Sequence, residues 1–135
     1  MKTFEITSHM FTMSDVFYPN GYAFVMFPNA QDAQQVLGEL DGSLTGSGEM
    51  MLLSPQAVLR DIGKLENEEV EVTLPSIGTE AATVVKYINL AKQGHHALMV
   101  RVHSDVETEQ VMRAVRKVPF SYGQRYHLLA IEDLV

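Results

Sequence analysis

The strongest constraint on this chain of 135 residues is a strand–helix–strand pattern that occurs twice. Residues 22–27 (YAFVMF) are apolar and aromatic throughout and read as a strand. In residues 29–40, Ala33, Val36, Leu37 and Leu40 fall at the i, i+3, i+4, i+7 spacing of one helical face. Asn29 is the natural N-cap of that helix, and Gly42 follows its end. Residues 49–53 (EMMLL) make a short apolar strand. The same order returns roughly 75 residues later. Residues 96–103 (HALMVRVH) set Leu98, Val100 and Val102 on one side and Ala97, Met99, Arg101 and His103 on the other. Residues 105–117 open with a capping box, Ser104 and Glu107, and line up Thr108, Val111, Met112 and Val115. Residues 126–131 (YHLLAI) close the second unit as a strand.

Two β-α-β units in tandem specify a split-βαβ, ferredoxin-like α+β arrangement: a four-stranded antiparallel sheet with helices packed on one face. The link between the halves carries a helical pair. Residues 55–65 have Ser54 as cap, Pro55 first, and Val58, Leu59, Ile62 and Leu65 on one face. Residues 79–93 bring Ala81, Val84, Val85, Ile88 and Ala91 together, with Gly94 placed to stop the helix. The expectation is a single domain over 1–135: a βαβ unit at 22–53, a helical insertion at 54–95 and a βαβ unit at 96–131. A weak alternation at 70–74 (VEVTL) reads as an edge strand, 66–71 (ENEEVE) as a solvated loop, and 42–48 (GSLTGSG) as a flexible loop. A doubly wound α/β domain needs more parallel strands than this pattern supplies.

Apolar residues make up 46% of the chain, enough to build a core. With no cysteine, disulfides, thiolate metal sites and cysteine nucleophiles are excluded. The opening MKTFEITSHMF carries one Lys and no long apolar run, so neither a signal peptide nor a membrane span is expected, and the cytoplasm is the expected location. The formal charge is −7, which opposes broad, salt-driven binding of nucleic acid. That charge is uneven. Residues 1–94 hold 5 basic and 12 acidic side chains, whereas 95–135 hold 5 and 5 together with four of the five histidines.

The segment Asn20–Phe27 (NGYAFVMF) resembles the octapeptide signature of the RNA-recognition motif family at every position but the first. The likeness runs on for about 30 residues through the helix and strand that follow. It implies that Tyr22 and Phe24 lie on an open sheet face and stack on bases, while Ala23, Val25 and Phe27 point into the core. The sequence departs from that family in three ways: Asn20 replaces the basic residue, the strand comes first instead of third, and the companion aromatic signature is missing. Further on, residues 75–96 (PSIGTEAATVVKYINLAKQGHH), with their Gly-Thr-Glu, Lys-Tyr and Gly-His-His elements, are similar to a small family of uncharacterised bacterial ferredoxin-like proteins.

Candidates for chemistry are sparse. Thr79 opens a helix whose free N–H groups suit an anion, although capping alone accounts for it. His95, His96 and His103 are candidate metal or anion ligands, but no carboxylate stands at ligand spacing, so no metal or cofactor is expected. Ser104 and Ser121 lie near histidines without a G-x-S-x-G elbow, so no catalytic set is expected. Tyr122, Arg125 and Tyr126 combine polar aromatics with a guanidinium, a mixture typical of recognition surfaces. The function expected is therefore a non-catalytic regulatory or interaction module. An open face bearing Tyr22, Phe24, Met99 and Arg101 would be a large apolar patch, which favours a homodimer formed through it. Single-stranded RNA binding on the same face is the second expectation, and a small-molecule enzyme or metal binder using the histidines is the third.

Overall fold

A computed structural model describes residues 19–41, 49–62, 79–127 and 131–135. In chain order the elements are β1 (Tyr22–Phe27), α1 (Ala30–Leu40), β2 (Met50–Leu53), α2 (Pro55–Ala57) with a π-helical continuation (Val58–Ile62), α3 (Thr79–Lys92), β3 (His96–Arg101), α4 (Asp105–Val115), β4 (Tyr122–Tyr126) and β5 (Ile131–Asp133). The fold is α+β. Its one sheet runs β2-β3-β1-β4-β5, and every neighbouring pair is antiparallel. No helix among the described residues is long and apolar enough to cross a membrane.

The helices begin where side chains satisfy the first free N–H groups. Asn29 accepts from Asp32 N at 3.1 Å, Ser54 from Ala57 N at 3.1 Å and Ser104 from Glu107 N at 3.1 Å. Glu107 reaches back to the backbone N–H of His103 at 2.8 Å, one residue before the cap. At the other end of α3, Gly94 takes φ +96°, and two bonds close the turn: His95 N to Leu90 O at 3.1 Å and Gly94 N to Ala91 O at 2.9 Å. That Schellman turn delivers the chain directly into β3.

The sheet separates two apolar cores. Ala23, Val25 and Phe27 join Leu98 and Val100 beneath α1 and α4. Tyr22, Phe24 and Met26 join Ala97 and Met99 beneath the π-helical turn and α3, which contribute Val58, Ile62, Val84, Tyr87 and Ile88. The alternation expected along β1 and β3 is thus present, but helices cover both faces of the sheet. The expectation of an open face is corrected: the π-helical turn and α3 lie over it.

Other boundaries move as well. The sheet has five strands where four were expected, and β4 lies at Tyr122–Tyr126 instead of 126–131. The apolar run YHLLAI masked this, because β4 (YGQRY) buries a glycine and a glutamine in its middle and carries little apolar signal. Val85, assigned to the buried face of α3, is half exposed. The expected edge strand at 70–74, the acidic loop at 66–71 and the loop at 42–48 lie outside the described residues.

Candidate functional site

Phe24 and Met99 are fully buried and Tyr22 is 8% exposed, so none of the three presents the open-face surface expected of it. The physical reason is an aromatic ring from the same chain. Tyr87 of α3 lies over Phe24 with 4.1 Å between centroids and a 31° tilt, and meets Tyr122 edge-on at 5.9 Å. A ring of the protein therefore occupies the place where a base would stack on Phe24. The Tyr87 hydroxyl lies 2.6 Å from that of Tyr126, which is also buried. Burial, reinforced by Tyr126, pushes the Tyr87 hydroxyl well above the ordinary tyrosine range. Tyr122 stays partly exposed, with the Lys86 ammonium 5.3 Å from its ring centroid. Arg101 reaches Glu49 at 3.4 Å, and its guanidinium carbon stands 5.5 Å from the Tyr22 ring.

The histidines do not converge. His95 and His103 flank β3, and eight residues of extended chain separate them by roughly 26 Å. His95 belongs to the turn that ends α3, whereas His96 is the first residue of β3. Ser121 Oγ donates to the Met26 carbonyl at 3.0 Å, so the 2.8 Å contact with His95 is donated by the imidazole Nδ1–H. The Ser121 hydroxyl is thereby committed to a backbone carbonyl. His96 Nδ1 is buried with no partner among the described residues. His103 Nδ1 sits 3.0 Å from Glu107 at the α4 cap. Thr79 is the first residue of α3. Among the described residues, no group of three or more His, Asp or Glu is arranged to hold a metal ion.

Polar side chains do gather at the margin formed by α4, β4 and β5. A cleft of about 250 Å³ is lined there by Asp105, Glu109, Arg116, Arg125 and Glu132, among others. Arg125, whose side chain is only 11% exposed, donates to Asp105 at 2.6 Å and lies 4.0 Å from Glu132. Glu132 is also bound by His127 at 2.9 Å. Arg116 bonds Glu109 at 2.8 Å, holding that carboxyl below its usual range, and donates to the Val135 carbonyl at 3.0 Å. On the opposite face of the sheet, buried Gln124 donates to Asp133 at 2.5 Å. Leu134 is buried and donates its backbone N–H to Gly123 O at 3.0 Å.

Of the expected recognition residues, the structure brings Arg125 to this margin, packs Tyr122 against Tyr87 on the α3 side and places Tyr126 in the core. Gln124, Glu132, Asp133 and Leu134 carried no sequence motif. Residues 131–135 (IEDLV) have no two-residue alternation that would mark them as a strand. Comparison with protein-family models, with curated proteins and with solved structures found no match.

Proposed function

We propose that this chain is a ferredoxin-like interaction module that works without catalysis and self-associates through the margin of its sheet, on the side of β4 and β5. The order β2-β3-β1-β4, with α1 crossing from β1 to β2 and α4 from β3 to β4, supports the ferredoxin-like reading; β5 then extends the sheet by one strand. The observation that carries the functional reading is the closure of β1: all six of its residues are buried, under helices on both sides. With both faces used internally, the sheet has its margins left for a partner, and margins bind by strand pairing and by the side chains that frame it. On the β4–β5 side the described residues include the paired polar groups Asp105, Arg125, His127 and Glu132.

Light scattering across micromolar concentrations tests this. The expected mass is twice the 15.1 kDa of the chain, falling toward the monomer on dilution. A monomer throughout removes the proposal. The same preparation is expected not to retain a labelled single-stranded oligonucleotide at low salt, because Tyr87 already occupies the ring face of Phe24. Retention that Tyr22→Ala abolishes would restore the RNA reading instead.

A further inference from the structure

We propose that the slot on β4 that holds Ile131–Val135 also accepts that segment from a second copy, so that two chains associate by exchanging β5. This rests on the self-association reading above and names its mechanism. The slot reads its occupant residue by residue. Gly123 leaves a niche for Leu134: a Cβ added at Gly123 would stand 3.2 Å from Leu134 Cβ. The Gln124 amide binds Asp133, Arg125 and His127 flank Glu132, and Arg116 holds the Val135 carbonyl. The fitting occupant is thus an extended Glu-Asp-Leu-Val stretch, which this chain itself supplies. The charge match is local: Glu132 lies 4.0 Å from Arg125 and 2.9 Å from His127, while Asp105 and Glu109 of the slot are paired with Arg125 and Arg116.

β5 is also the element that leaves most readily. It has three residues, pairs with β4 within the sheet, and carries Glu132 and Asp133 exposed; Leu134 is the one buried residue of 131–135. Elements with so little burial open at far lower cost than central strands. Four residues, 127–130, separate β5 from β4 in the sequence. The exchanged pair reproduces every slot contact of the closed chain, so concentration sets the balance, and the interface is two-fold symmetric.

The absence of cysteine gives a clean test. Gln124 and Asp133 are directly opposed in the β4–β5 ladder. The neighbouring bond from Leu134 N to Gly123 O marks them as a non-hydrogen-bonded pair, the closer spacing and one within disulfide reach. One preparation carries Gln124→Cys and another Asp133→Cys; they are mixed under mild oxidation and run without reductant. A covalent dimer in the mixture and in neither variant alone is the expected result. Its absence, with both variants folded by circular dichroism, overturns exchange. If Gln124→Cys does not fold, Arg125→Cys with Glu132→Cys asks the same question at the next, more exposed rung. Light scattering on the unaltered chain separates the two claims. A dimer without cross-linking overturns exchange and leaves self-association standing, whereas a monomer without cross-linking overturns both.

Discussion

Replacing Tyr87 tests whether the insertion really closes the sheet. The residue is fully buried, stacked on Phe24 at 4.1 Å and edge-on to Tyr122 at 5.9 Å. Truncating a buried aromatic to Ala removes its burial and leaves a cavity, a cost of about 3–5 kcal/mol. Against a total stability of about 5–15 kcal/mol, that is a large fraction. For a chain of this size each kcal/mol shifts Tm by about 4 °C, so Tyr87→Ala should lower it by roughly 15 °C. Tyr87→Phe keeps the ring and loses the 2.6 Å contact with Tyr126, at a cost of about 1 kcal/mol, rising toward 3 if the Tyr126 hydroxyl is stranded. Urea titration followed by far-UV circular dichroism measures both. A double-mutant cycle of Phe24→Leu with Tyr87→Leu should show a coupling of about 0.5–1.5 kcal/mol. Additive costs, or a Tyr87→Ala loss within the roughly 0.5 kcal/mol of a surface change, would refute the stacking and reopen the face.

Three further outcomes follow from local geometry. Gly123→Ala places a methyl 3.2 Å from Leu134 Cβ; overpacking of about 1–3 kcal/mol outweighs the about 0.4–1 kcal/mol gained from a stiffer unfolded chain, so a lower urea midpoint is expected. Ser104→Ala leaves Glu107 N without its cap and should cost about 1 kcal/mol, read as a lower unfolding midpoint with the fold retained. For pH, the raised Tyr87 hydroxyl means the unfolded chain ionises first, near the ordinary value of 10. Its stabilising effect is intact below that pH and is lost above it at about 1.4 kcal/mol per pH unit. Tyr87→Phe should therefore flatten the alkaline limb of a stability-against-pH curve, and an unchanged limb would contradict the buried-hydroxyl assignment.

What was legible in the sequence is the part governed by local spacing. Asn29, Ser54 and Ser104 cap helices because their side chains reach N–H groups three residues on, and Gly94 ends α3 because the turn requires positive φ. The division of β1 into Tyr22, Phe24 and Met26 against Ala23, Val25 and Phe27 follows from the two-residue period alone. What lies beyond that division depends on tertiary packing. Tyr87 stands three residues after Val84 and four before Ala91, on the buried face of α3, but nothing local says that its ring lands on Phe24. β4 escaped notice because its middle residues, Gly123 and Gln124, are buried by contacts with Leu134 and Asp133 and not by their own hydrophobicity. One clue pointed to the closed face from the start. A strand with one wet side alternates, whereas YAFVMF does not, and an unbroken apolar run is the mark of burial on both sides.

That clue explains why the resemblance of 20–27 to an RNA-binding octapeptide and the prospect of a face-to-face dimer stand or fall together. Both need the surface of Tyr22, Phe24 and Met99 to be available, and an apolar patch of that kind is rarely left bare. A chain can cover it with a second copy, with a ligand, or with its own insertion. Here α3 and the π-helical turn supply the cover, and the first two solutions lose their site at once. The self-association we propose is then left the sheet margin, where the side chains are ionic and the strand is short. An exchanged β5 meets that requirement without a new apolar surface, because each copy offers the other a segment it already binds. Such an assembly should be strongly concentration-dependent, and its unfolding midpoint should rise as protein is added, since the paired state gains by mass action alone.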